Sequence, residues 1–301
     1  MAIPYSKPAI SFTEQLNLLQ GRGLVVDNQD FALNQLASIS YYRLSAYWHP
    51  FWERDEHGNP TGQFRPETTF SEVIKLYEFD RHLRLLVMDA IERIEVHIRT
   101  LVTYHMGQRY NAFGHTDSAN FHPRFNHALW LSKLEDDIAK SKDVFIEHYK
   151  NKYDGFPRLP IWMSTEVMSF GSLSIFYKGL NNEDKRQIAS QLGIHHKRLK
   201  DWLHTLTYIR NICAHHSRLW NRELAIRPET VRDSAWNAPV TPRQDRVFYI
   251  LIILRVLLRS NHNGDHWAER CSELLETLVS EKKYRIAMGL PENWKEHPIW
   301  R

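Results

Sequence analysis

Cysteine is nearly absent: only Cys213 and Cys271 occur in a chain of 301 residues. That excludes a disulfide framework, and without a Cys-x-x-Cys pair it also excludes a finger-type zinc site. Such usage fits a reducing cytoplasm. Long apolar runs are lacking too. The most apolar stretch, Val247 to Leu258, is interrupted by Arg255 and falls well short of the ~20 residues that cross a bilayer. It reads as a buried core helix, so no membrane partner is expected. Met1-Ala2-Ile3-Pro4-Tyr5-Ser6-Lys7-Pro8 holds two early prolines and no apolar core of signal-peptide length, so secretion is not expected. Neither sign of charge dominates: a formal net charge of +4 is compatible with a polyanionic partner but far below that of a dedicated nucleic-acid coat. Repeats, low-complexity segments and isolating linkers are missing as well. With 43% apolar residues, the chain is expected to form one integrated domain over residues 1–301 with a sizeable core.

Strictly alternating strands are hard to find, whereas helical periodicity is strong, so the fold class is mostly α. A first helix fits Ser11 to Gln20 and a second Asp30 to Trp48, stopped by Pro50. Gly58, Asn59, Pro60 and Gly62 mark a turn that suits a short β-hairpin. Thr69 and Glu72 form a capping box opening a long core helix, roughly Ser71 to His105. After a His-, Asn- and Gly-rich break over Gly107 to Asn126, helices are predicted over His127 to Tyr149, from Pro160 through Glu166 and Met168 toward Gly171, and over Glu183 to Leu192. The next helix carries Leu199, Leu203, Leu206 and Ile209 on one face. Thr241-Pro242-Arg243-Gln244 reads as a capping box for a helix through Leu258, and a last helix spans about Asp265 to Lys283. The expected organisation is N-terminal helices and hairpin over 1–70, packed on a helical core over 71–283, with a Pro- and Trp-containing tail over 284–301.

Between Lys185 and Arg232 stand ten Lys or Arg against three acids, a basic region that includes Lys197, Arg198, Arg218 and Arg222. Within it lies Arg210-Asn211-Ile212-Cys213-Ala214-His215-His216. An Arg-Asn-x-x-x-His run supplies a permanent cation, an orienting amide and an imidazole that titrates near neutrality. These groups suit cleavage of a phosphodiester that carries its own nucleophile, as RNA does in its 2′-hydroxyl. At ~100° per residue Asn211 and His215 share a helix face, while Arg210 is turned from His215 by about 140°. Convergence therefore needs the helix to end or bend after Ala214, or a second copy of the run from a homodimer partner. In that chemistry His215 moves the proton, Arg210 stabilises charge on the phosphorane and Asn211 holds the ring or a phosphate oxygen. No metal or other cofactor is required, and DNA, lacking the nucleophile, is inert. The competing structural assignment pairs Arg210 with Asp201 or Glu223 and leaves the histidines to finish a helix C-terminus.

The motif resembles that of HEPN domains, all-helical bundles of which many are metal-independent ribonucleases acting as dimers. Its longer setting, Arg210 to Arg222 with Ser217-Arg218-Leu219-Trp220-Asn221 after the histidines, resembles the Abi-like family, bacterial abortive-infection proteins of the AbiD and AbiF type. Ser40-Tyr41-Tyr42-Arg43-Leu44-Ser45-Ala46-Tyr47-Trp48, Tyr77 to Arg81, Arg93-Ile94-Glu95, Pro160-Ile161-Trp162-Met163, Phe170-Gly171 and Gly289 to Trp294 are similar to further segments of that family. The resemblance implies a HEPN-like bundle with additional N-terminal helices, acting in anti-phage defence as a homodimeric toxin with one composite site; whether an RNA or protein antidote holds it silent stays open. It implies Arg210 and His215 as the catalytic pair with Asn211 in support. His216 stays an alternative to His215, because a spacing one residue longer also occurs among these domains. Where nucleotide-regulated HEPN toxins carry tyrosine two places after the histidine, Ser217 stands here, which argues against that form of control. The reading from a different class is an RNA-binding module that grips a regulatory RNA without cutting it.

Among the remaining candidates, Arg218, Trp220 and Arg222 are placed to grip RNA, with Lys197 and Arg198 adding to the same surface. Glu166, amid apolar and small neighbours, is either catalytic or partnered, with Arg210 as the expected partner. Glu92, Arg93, Glu95 and His97 form a salt-bridge lattice, or place Arg93 or Glu95 beneath the motif. The aromatic cluster of Tyr41, Tyr42, Tyr47, Trp48, Phe51 and Trp52 is read as core packing. His195-His196 lacks ligand-spaced companions, and no metal is expected there.

Overall fold

A computed structural model describes residues 4–238, 241–259 and 264–301. Helices dominate the described residues, with one two-stranded sheet, as the periodicity predicts. The chain divides into two compact units between His82 and Leu83.

In the first unit, α1 (Phe12–Gly21) opens on a capping box in which Ser11 and Glu14 exchange hydrogen bonds. The expected helix over Asp30 to Trp48 is two helices, α2 (Gln29–Ile39) and α3 (Tyr41–Trp48). Ser40 parts them: its φ of 78° ends α2, and its hydroxyl accepts the Arg43 N–H to start α3. β1 (Trp52–Arg54) and β2 (Pro60–Phe64) then pair antiparallel across a turn in which Asp55 accepts the N–H groups of His57 and Asn59. Tyr47, Trp48 and Phe51 are buried and Trp52 stacks on Phe64, so most of the aromatic cluster is core, while Tyr42 faces solvent.

α4 (Phe70–Tyr110) starts at the Thr69–Glu72 capping box. It extends five residues past the predicted end, and at 1.5 Å per residue is about 60 Å long. Within the second unit its buried stripe of Leu83, Val87, Ala90, Ile94, Ile98 and Val102 follows the helical period.

The expected helix over His127 to Tyr149 is also divided, into α5 (His127–Lys140) and α6 (Val144–Lys152). Ser141 and Asp143 bond to one another between them, offering the backbone an alternative to helix. α7 (Ile161–Val167) stops at extended Met168, where Ser169 caps α8 (Phe170–Gly179). α9 (Asn182–Ser190) and α10 (His196–Ala214) follow. α8 packs on α10 at Gly171, where a Cβ would meet Thr207 Cγ2 at 3.4 Å, the edge of ordinary van der Waals contact.

After the short α11 (Ser234–Asn237) the chain reaches α12 (Val247–Arg259), whose residues are buried on nearly every side. The core-helix expectation holds, but the start does not. Gln244 accepts from Thr230, Asp245 from Arg243, and the Asp245 carbonyl from Leu224, which holds the supposed capping box out of helix. The predicted last helix is α13 (Gly264–Val279) followed by α14 (Lys282–Met288). Trp267 ties α13 to α4 by donating to the Leu86 carbonyl at 2.8 Å. Trp294 and Trp300 are buried against Phe248 of α12. Among the described residues no helix is long and apolar enough to cross a membrane.

Candidate functional site

α10 buries Leu199, Trp202, Leu203, Leu206, Ile209 and Ile212, which brings Arg210 to a half-buried position and Asn211 to solvent in its last turn. The helix ends after Ala214. His215 takes φ −88° and ψ 12°, and its N–H reaches the Asn211 carbonyl. His216 donates to Cys213 and Ser217 to Ile212, at 3.0 and 2.9 Å. These are the paired bonds of a Schellman closure, with His216 at φ 54° in the left-handed position that glycine usually fills. The helix thus ends after Ala214, which is the first of the two conditions that spacing set for convergence. Both histidines are exposed.

Arg210 Nη1 donates to Asn211 Oδ1 at 3.3 Å. Among the described residues it makes no ion pair. Asp201 and Glu223, the two acids that spacing offered it, are engaged elsewhere: Asp201 accepts the Glu229 N–H at 2.8 Å, and Glu223 pairs with Arg227 at 2.6 Å. A carboxylate that feels the charge of Arg210 is Glu95 on α4. Burial lifts Glu95 above the ordinary carboxylate range, against the pull of Arg99 and of Arg210. Glu95, one of the two residues expected beneath the motif, is thus within the electrostatic reach of Arg210; Arg93 instead joins Asp89 at 2.9 Å, which Arg270 also contacts.

Arg99 is the residue the sequence reading missed. Its guanidinium reaches Glu95 at 2.7 Å, the Met168 carbonyl at 3.0 Å and Glu166 at 3.4 Å, joining α4 to the turn between α7 and α8. The i, i+4 spacing of Glu95 and Arg99 was the available signal. Glu166 is accordingly partnered by Arg99 rather than Arg210, and its side chain is 56% exposed rather than set amid apolar neighbours.

The RNA-gripping candidates separate. Trp220 is 1% exposed and packs edge-on to Tyr284, so it anchors the loop and offers no face to a ligand. Leu219 and Leu224 are buried with it. Arg218 and Arg222 are half-buried, and Arg222 Nε donates to the Arg218 carbonyl at 2.8 Å. Lys197 is exposed, whereas Arg198 lies over the Trp202 ring. His195 and His196 lie ring against ring at 4.4 Å, and among the described residues no three His, Cys, Asp or Glu side chains are grouped to hold a metal. A second histidine contact, His115 with Ser164 at 3.2 Å, is shut in the core, where burial pushes His115 down to about 4. It has no access to a substrate.

The Arg210–His215 turn, the Glu95–Arg99 pair behind it and the basic loop beyond it thus belong to one unit. The family described as Abi-like protein matches residues 34–221 of the chain, a span that includes all of the motif. No curated protein and no solved structure matches it.

Proposed function

The chain belongs to the Abi-like family, and from that membership, which points to abortive infection, we propose that it is a HEPN-type, metal-independent endoribonuclease. The observation that carries the reading is Arg210, a half-buried cation without an ion pair among the described residues, one turn before the closure that exposes His215. A half-buried cation that no carboxylate contacts directly is of use where an anion arrives.

In the proposed reaction neutral His215 takes the proton of a ribose 2′-hydroxyl, and O2′ attacks the adjacent phosphorus. Arg210 stabilises the charge on the equatorial oxygens as the phosphorane forms. The P–O5′ bond breaks, and a protonated histidine, His215 of a second protomer or His216, returns a proton to O5′. The products are a 2′,3′-cyclic phosphate and a 5′-hydroxyl. Asn211, through its bond with Arg210, fixes the guanidinium. Arg218, Arg222 and Lys197 supply the phosphate contacts that hold the strand, a contribution that weakens with salt. Two copies of the chain bring two motifs together, completing the acid and base.

The test incubates purified protein, in EDTA, with end-labelled single-stranded RNA and its DNA equivalent, beside His215→Ala. RNA-only cleavage that leaves cyclic phosphate ends and disappears in the variant supports the proposal. RNA that is retained tightly but stays whole in a dimeric preparation favours a binding module and refutes catalysis.

A further inference from the structure

A groove of about 390 Å³ opens between α4 and α7, lined among others by Arg99, Tyr104, Gln108, Trp162 and Glu166. Two large aromatic rings are left in solvent at its walls: Tyr104 is 68% exposed and Trp162 51%. Each wall repeats one arrangement. Trp162 and Glu166 lie four residues apart on α7, and Tyr104 and Gln108 four apart on α4, so in both an aromatic ring and a hydrogen-bonding side chain share a helix face one turn apart. Arg99 contacts only Oε2 of Glu166, at 3.4 Å, and the other carboxylate oxygen has no hydrogen bond among the described residues.

The groove adjoins the proposed site. Arg99 forms part of its wall and holds Glu95 with the same guanidinium. Past the Met168–Ser169 turn, α8 packs on α10 at Gly171 and Thr207, three residues before Arg210.

We propose that this groove receives a guanine base of the RNA strand, stacked on Trp162, with its Watson–Crick edge donating N1–H and N2–H to the Glu166 carboxylate. The inference rests on the ribonuclease reading and names its base preference. Aromatic faces accept any base, so selection falls to the edge. A carboxylate only accepts hydrogen bonds. Guanine alone among the four bases presents two adjacent donors on that edge. Adenine and cytosine set an acceptor beside their amino group, and uracil flanks its single N–H with two carbonyls, each of which a carboxylate repels. Gln108 on the facing wall has an amide that can donate to guanine O6. Tyr104 closes the other side of the ring.

The experiment measures binding of the four nucleoside 3′-monophosphates to the full chain and to Trp162→Ala and Glu166→Gln, with thermal unfolding as the check that each variant folds. Guanosine 3′-monophosphate should bind about tenfold or more tightly than the other three. Trp162→Ala should weaken it about tenfold. Glu166→Gln, which weakens the hold on guanine and removes the repulsion of adenine, should abolish or reverse the preference for guanosine over adenosine. Equal binding of all four, or variants that bind guanosine as the unaltered protein does, overturns the proposal, as does a Trp162→Ala effect confined to oligomeric state. Cleavage of RNAs carrying a single guanosine or inosine separates the two readings. Nucleotide selectivity without cleavage leaves the groove and removes the ribonuclease; cleavage indifferent to base, with no nucleotide selectivity, does the reverse.

Discussion

Arg99 and Arg210 share the field of Glu95, yet their removal should have opposite consequences. Arg99, with its side chain 15% exposed, holds a half-buried carboxylate at 2.7 Å and a carbonyl at 3.0 Å. Hydrogen bonds to charged groups contribute about 1.5–3 kcal/mol, and the longer contact to exposed Glu166 adds little. Arg99→Ala should therefore cost about 2–3 kcal/mol, a fall of about 5–10 °C in Tm for a unit of this size. Arg210 has only a 3.3 Å contact with its neighbour Asn211. Its replacement by alanine should change stability by less than about 1 kcal/mol while lowering RNA cleavage by about 10²–10³. Glu95 adds a pH signature. Burial raises its folded pKa, so in its own right it contributes stability below the ordinary carboxylate pKa that is lost as pH rises through the raised value. Without Arg99 that value rises further, and the penalty of Arg99→Ala should grow from the acid side of the window toward pH 8. Thermal unfolding of both variants across that range, beside a cleavage assay, reads all three effects. Equal stability losses at pH 8, or an Arg99→Ala penalty indifferent to pH, would refute the assignment of Arg99 to structure and Arg210 to chemistry.

His216→Gly keeps the left-handed backbone at φ 54° that glycine adopts without strain; if cleavage survives in it but not in His215→Ala, His215 is the catalytic histidine. Trp220→Ala empties a core position and should destabilise by about 3–5 kcal/mol in denaturant titration. Arg222→Ala loses the bond to the Arg218 carbonyl and should cost about 1–2 kcal/mol while reducing the salt dependence of RNA binding by about one unit of slope. Asp184, fully buried, receives His105 at 2.7 Å, Tyr110 at 3.0 Å and Arg109 at 3.4 Å. Asp184→Ala should cost about 3 kcal/mol, read as a shift of the guanidinium midpoint, and an unchanged midpoint would show that the network is incidental.

Local signals were legible in the sequence where they act locally. The Thr69–Glu72 box, the apolar stripe of α4 and the even hydrophobicity of α12 need only neighbouring residues to be read. The breaks at Ser40, Ser141 and Met168 were not legible, because apolar periodicity runs through all three and the interruption depends on single side-chain caps and backbone angles. Thr241 to Gln244 satisfies a helix-start pattern, but tertiary partners at Thr230 and Leu224 claim those groups first. At the site, the ending of α10 was posed as a condition by helical geometry. That Trp220 faces inward, and that Arg99 rather than Arg210 meets Glu166, depends on which elements pack together. A pattern along one chain segment does not carry that information.

The closure of α10 also limits the direction from which an anion can arrive. The carboxyl end of a helix carries partial negative charge on its last carbonyls, so a phosphate travelling along the axis of α10 would be repelled. The N–H groups of His215, His216 and Ser217 occupy the carbonyls of Asn211, Cys213 and Ile212, which mutes that charge without reversing it. The favourable trajectory crosses the flank of the last turn, over Arg210, so the strand should lie athwart the helix rather than abut its tip.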